Sequence, residues 1–277
     1  MTFFNPPVPA TPLARPLLGL ALGNSHVAAL RLAYTQTQDR PPGLVLEFLA
    51  SGQAGLAEIA LDRGDLIATS PRTAADFLRF GARARIPLAE YDFFLIVGLG
   101  FNVYGLEPLY REYRCPGLNG WQSAHPKRSL VSEAAMRQMI AAPLRSCLSG
   151  RVAALLRQGS DKPIFQQAQP RPAETLLLQK HYPSLRRAVA RGDAQALSAL
   201  FEQAAALACL DHYLPQPPET RHKGLLTAVA YTENAPRLTA DPARLQRQAA
   251  NDFLHANGVY GARMLHHLGQ ALAVQPR

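Results

Sequence analysis

Residues 17–32 read LLGLALGNSHVAALRL, and few backbones satisfy that pattern. An apolar run ends at Gly23, the small polar tripeptide Asn24-Ser25-His26 follows, and Val27, Ala28, Ala29, Leu30 and Leu32 resume with helix-compatible residues. The pattern predicts a buried strand over 17–23, a tight turn, and a helix over about 26–38. In open parallel α/β sheets ligands bind outside the carboxyl ends of the strands. The turn puts the Ser25 hydroxyl at such an end, beside the first backbone N–H groups of a helix. Chemistry is expected at Ser25.

The rest of the chain supplies further strands of the same kind. Residues 44–49 form a second short apolar strand, closed by Ser51-Gly52-Gln53-Ala54-Gly55. Residues 56–69 alternate around Asp62-Arg63-Gly64-Asp65 and predict a small appended hairpin. The stretch 91–98, YDFFLIVG, is the strongest strand in the sequence. Its continuous apolar character predicts a central parallel strand covered on both faces. Residues 162–167 and 208–214 are a fourth and fifth strand. Helices are expected over 129–158 (capped by Ser129 or Ser132 and interrupted at Pro143), 183–207 (broken at Gly192-Asp193), 241–250 and 258–273. The last carries Val259, Ala262, Leu265, Leu268 and Leu272 on one face. Residues 103–128, with Tyr104, Tyr110, Tyr113 and Trp121, read as a long loop bordering an active site. The Pro-rich residues 1–16 read as an irregular arm. No linker is evident, so residues 1–277 read as one doubly wound α/β domain.

Composition narrows the function classes. The three cysteines, Cys115, Cys147 and Cys209, are widely spaced and fit neither a disulfide framework nor a zinc site, which favours a reducing, cytoplasmic setting. No stretch approaches the ~20 apolar residues of a membrane span, and the N-terminus lacks a basic leader. A net charge of +9 raises the question of nucleic acid. The arginines are scattered, however, without a basic run interleaved with aromatics. A solvated Arg-rich surface is the better reading, and it leaves room for attraction to anionic substrates. No metal-ligand spacing and no phosphate-binding glycine loop is present, so neither metal nor cofactor is expected.

A nucleophilic serine needs a base, a group to orient that base, and donors for the oxyanion. Asp252 and His255 stand three apart just before the final helix. In a turn their side chains share one side, so the carboxylate can hold Nδ1–H and leave Nε2 for a serine. Asn102, in Gly98-Leu99-Gly100-Phe101-Asn102, follows the central strand and offers a neutral amide donor. Gly52, with Gly55 as its competitor, can add a backbone N–H, and the Ser25 N–H completes the hole. His26 points away from Ser25 and reads as structural or as a substrate contact. His212 reads as a core histidine, and His266 and His267 as solvated. Taken singly, Ser25 is a helix cap, Asn102 and Gly52 are turn residues, and Asp252 is a surface residue. The ordered set points to catalysis.

These motifs resemble those of the SGNH (GDSL-like) hydrolase superfamily, whose blocks supply Ser, Gly, Asn and a terminal Asp-x-x-His in that order. Gly23-Asn24-Ser25 resembles the first block, Gly52 the second, Gly100-Phe101-Asn102 the third, and Asp252-Phe253-Leu254-His255 the last. The resemblance spans residues 17 to about 265. It implies a single-domain three-layer αβα sandwich, flavodoxin-like, with a parallel sheet in the order 2-1-3-4-5. It also implies metal-free hydrolysis of esters, with Ser25, Asp252 and His255 catalytic and Ser25, Gly52 and Asn102 forming the oxyanion hole. The chain departs from the pattern at Asn24, where the family has Asp, and at Val103, where it has a second polar residue. The expected substrate is a small-molecule or glycan ester. Acyl transfer to a sugar hydroxyl at the same site and a non-catalytic binding module are the alternatives. The sequence leaves the oligomeric state open.

Overall fold

The computed structural model describes residues 15–36, 40–52, 55–81, 83–119, 128–240 and 245–274. Five strands, β1 (Leu17–Gly23), β2 (Leu44–Ala50), β3 (Phe93–Val97), β4 (Ile164–Gln167) and β5 (His212–Leu214), form one sheet in the order β2-β1-β3-β4-β5. Every pairing in it is parallel. Eight α-helices are described: α1 (Val27–Gln36), α2 (Pro71–Gly81), α3 (Leu106–Glu112), α4 (Glu133–Ser146), α5 (Leu148–Gly159), α6 (Pro183–Ala190), α7 (Ala194–Ala208) and α8 (Gly258–Val274).

Strand periodicity decides which helix covers which face, because successive side chains point to opposite sides of a sheet. Ala21 of β1 and Phe93, Leu95 and Val97 of β3 join Leu30 of α1 and Leu265 and Leu268 of α8 in one core. Their neighbours Leu20, Leu22, Phe94 and Ile96 turn the other way, onto Phe77 of α2 and Val152 and Leu156 of α5. Helices therefore cover both faces of the sheet. All five residues of β3 are buried, as its unbroken apolar character predicts. A third core joins α3, α4, α6 and α7 around Phe101, beyond the carboxyl end of β3.

The appended hairpin at Ile59–Asp62 and Asp65–Ala68 takes a third antiparallel strand from Arg85–Pro87. Ser132, not Ser129, caps α4, accepting the Ala135 N–H at 3.1 Å. The exits of β4 and β5, similar in sequence (Gln169-Pro170-Arg171 and Gln216-Pro217-Pro218), meet in space. The Gln216 side chain accepts the Arg171 N–H at 3.0 Å and donates to Thr220 and Thr227.

Several sequence expectations are corrected. Residues 103–112 are helical, a short 3-10 turn leading into α3, because Val103, Leu106 and Tyr110 recur at helical spacing and are buried together. Trp121, like residues 1–14, lies outside the described residues. Pro143 sits inside α4 without ending it; the break falls at Cys147, where α4 and α5 are bent by 62°. Strand β5 is three residues long because α7 continues through Ala208, with the Cys209 N–H still donating to the Ala205 carbonyl. Residues 245–250 are not helical: Arg237 N–H and Gln248 N–H bond across to Gln246 and Ala235, a ladder that replaces helical bonds. Residues 241–244 lie outside the described residues. In α8 the buried stripe is Tyr260, Gly261, Met264, Leu265, Leu268 and Leu272, and Val259 is exposed. The glycine lets a neighbouring helix close in and rotates the face. His266 and His267 are half-buried in this helix rather than solvated. Among the described residues no single helix is long and apolar enough to cross a membrane.

Candidate active site

Ser25 lies in the turn between β1 and α1. Asn24 and Ser25 carbonyls accept the Val27 and Ala28 N–H groups at 3.0 and 3.1 Å, which starts the helix one residue past the tripeptide. The Asn24 side chain accepts the His26 N–H at 3.3 Å and holds the turn. Across from it, β3 ends in three consecutive left-handed residues, Gly98 (φ 72°), Leu99 (φ 55°) and Gly100 (φ 83°). A β-carbon on Gly98 would lie 3.0 Å from Asn24 Oδ1 and 3.2 Å from His26, so glycine is required there by both space and backbone angle. Leu99, only 3% exposed, holds a conformation that costs a non-glycine residue roughly 1–2 kcal/mol.

His255 arrives from the other end of the chain. Residues 249–257 form a turn fixed by its backbone: Asp252 N–H donates to Ala249, the Phe253 carbonyl accepts Ala173 N–H at 2.8 Å, and Asn257 N–H donates to Tyr231. The Phe253 ring packs on His181 and Tyr182, which clamps the middle of the Asp-x-x-His segment. Asn257 caps α8 through Oδ1 and Tyr260 N–H at 3.1 Å. Tyr104 packs on Tyr182 with ring centroids 4.7 Å apart. It helps hold this clamp.

The resulting contact is direct. Ser25 Oγ and His255 Nε2 are 2.9 Å apart, and His255 Nδ1 is 3.1 and 3.2 Å from the two carboxylate oxygens of Asp252. Asp252 also accepts the His255 backbone N–H at 3.0 Å. Burial alone would raise the Asp252 pKa, but the hydrogen bonds and the charge of His255 outweigh it and hold the carboxyl below the usual range. The carboxylate is thus ionised and can only accept, which places the ring proton on Nδ1 and leaves Nε2 to accept the Ser25 O–H. The spacing places a base against a serine and an orienting acid behind the base.

His26, read from sequence as facing away from Ser25 and as structural or a substrate contact, has a more specific position. Its ring stacks on the His255 ring, centroids 4.7 Å apart and planes 24° from parallel. Burial, then the neighbouring His255, lowers its pKa to about 3. It is therefore neutral near neutral pH and supports the base without adding a second positive charge. Sequence spacing carries no signal for this stack, because the two residues come from opposite ends of the chain. His212, read as a core histidine, is half-buried and stacks on Phe165.

Ser25 and His255 open into a depression of about 540 Å³ that Gly52 also lines. A side chain on Gly52 would meet nothing within 4 Å, and Gly55 begins a 3-10 turn three residues further on. Asn102 is half-buried at the exit of β3. Its amide donates to the Gly100 carbonyl at 3.1 Å and accepts Tyr104 N–H at 3.0 Å, and it faces a smaller cavity beside Leu106 and Ile140. The structure thus brings Ser25, His255, Asp252 and Gly52 together, and leaves Asn102 engaged in its own turn. Among the described residues no group of three or more His, Cys, Asp or Glu side chains has the arrangement of a metal site. No protein-family model and no curated protein sequence matches the chain.

Proposed function

We propose that this protein is a serine ester hydrolase. The observation that carries the reading is the continuous relay from Ser25 Oγ through His255 to the Asp252 carboxylate, at 2.9 and 3.1 Å. His255 Nε2 takes the Ser25 proton as Oγ attacks the ester carbonyl, and Asp252 stabilises the imidazolium that forms. His255 then gives the proton to the leaving alcohol. Water enters, again deprotonated by His255, and its attack releases the acid and restores Ser25. The oxyanion is assigned to the Ser25 and Gly52 N–H groups, with the Asn102 amide joining once it turns from the Gly100 carbonyl.

The sheet order β2-β1-β3-β4-β5, flanked by helices on both faces, supports the SGNH resemblance and its flavodoxin-like sandwich, with residues 1–277 as one domain. The free thiols of Cys115, Cys147 and Cys209 support a cytoplasmic setting. The loss of the family carboxylate at position 24 is offset locally, since Asn24 supplies the hydrogen bond that shapes the turn.

The test is turnover of 4-nitrophenyl acetate and of a peracetylated monosaccharide, followed by proton release, with and without an added sugar acceptor. The reading expects hydrolysis that falls by roughly three orders of magnitude or more in Ser25→Ala. Acetyl appearing on the added sugar in place of free acetate would reassign the site to acyl transfer. A folded wild-type protein inert towards both substrates would leave a binding module.

A further inference from the structure

The rim of the Ser25 depression is basic. Among the described residues three arginines line it, Arg72 and Arg79 from α2 and Arg237 from the loop before α8. Arg72, Asp76 and Arg79 recur at positions i, i+4 and i+7 of α2, which places them along one face of the helix. Asp76 is the acid among the described residues of the lining, and it accepts the Ser51 hydroxyl. The Asp252 carboxylate is held by His255. Glu58 faces Arg72 and is itself bonded by the Ser70 and Thr73 hydroxyls. Arg79 and Arg237 are exposed, with Arg79 stacked over the Phe80 ring at 5.1 Å. Two chain segments thus bring arginines to the opening that holds the serine.

From this arrangement we infer that the site selects esters that carry an anionic group, a carboxylate or sulfate, held against Arg79 and Arg237 while Ser25 reaches the carbonyl. This rests on the esterase reading and names its substrate class. Guanidinium groups bind carboxylate and sulfate oxygens in paired hydrogen bonds. Same-sign charges converging on a cleft also raise the local concentration of an oppositely charged ligand. A depression of about 540 Å³ has room for the anionic group as well as the ester, within the range of small-molecule sites.

The test compares esters with neutral counterparts of the same shape. Mono-4-nitrophenyl adipate against its terminal amide puts the charge on the acyl side. The pair 4-acetoxybenzoate and 4-acetoxybenzamide puts it on the alcohol side. The expected result is a kcat/KM ratio of about tenfold or more in favour of the anion in one pair, which assigns the arginines to the acyl or the alcohol side. That ratio falls towards one in the double variant Arg79→Gln/Arg237→Gln and at 1 M NaCl. Arg63→Gln, at the tip of the distant hairpin, keeps the wild-type ratio. Ratios near one for both pairs, with the neutral esters turned over, overturn the inference and leave the esterase reading standing. Should no ester be turned over, calorimetric titration of Ser25→Ala with the same four compounds decides. Anions bound about tenfold tighter than amides, with the difference lost in the arginine variants, uphold the anion site without the esterase reading; equal binding overturns it.

Discussion

Asp252 does two jobs with one carboxylate, since it accepts both the Nδ1–H and the backbone N–H of His255. Asp252→Asn keeps the shape but offers the ring an amide that can impose the wrong tautomer. The expected cost in kcat is on the order of 10³–10⁴-fold with KM little changed, measured on 4-nitrophenyl acetate. The same pairing has a stability consequence. Because the folded pKa lies below the ordinary value of 3.8, the contribution of Asp252 is complete above that value and is lost as pH falls beneath it. His26 acts in a different window. Its pKa drops from 6.5 to about 3 on folding, so the unfolded chain gains a proton the folded chain refuses, and stability declines as pH falls from 6.5 towards 3. Urea midpoints at pH 7 and pH 5 read this term together with one of the same sign from His267, whose pKa burial also lowers, while Asp252 stays ionised. His26→Phe keeps the stack on His255 and is expected to flatten that slope; a slope unchanged from wild type would place the pH dependence elsewhere.

At the scale of elements, the nucleophile and the base each stand just before a helix, Ser25 before α1 and His255 before α8, and these two helices pack on each other. Gly261 makes that approach possible: a β-carbon there would lie 2.1 Å from the Ala29 carbonyl oxygen. Gly261→Ala is therefore expected to destabilise the fold by about 1–3 kcal/mol and to lower activity in the folded fraction, because pushing α8 away carries His255 from Ser25. Denaturation midpoints and active-site titration check the two effects separately. Gly98→Ala, which combines a forbidden angle with contact on Asn24 and His26, is expected to do the same from the β3 side. Much of this arrangement was legible in the sequence. The apolar runs set the five sheet strands, and glycine followed by a small polar turn set the position of Ser25. What was not legible was packing. Val103, Leu106 and Tyr110 carried a helical period, but glycine, proline and four aromatic residues nearby obscured it. The rotation of the α8 stripe followed from contact at Gly261 that no single-helix pattern records. The His26 stack and the arginine rim join segments far apart in sequence, which periodicity cannot pair.

For the molecule as a whole, the site closes the chain on itself. The serine comes from the first strand exit and the Asp-x-x-His turn from just before the last helix, with β1 at the interior of the sheet. A relay assembled from both ends forms only when the intervening sheet and its two flanking cores are in place. Loss of serine reactivity and loss of helical circular dichroism are therefore expected at the same urea concentration; reactivity lost well before the helical signal would mean that the C-terminal turn detaches independently. The most direct measurement of the central claim is covalent labelling by a fluorophosphonate probe, read by intact mass and peptide mapping. The account predicts one adduct per chain, on Ser25, absent in Ser25→Ala and strongly slowed in His255→Ala. A folded wild-type protein that takes no label, or a label placed on any other serine, would contradict it.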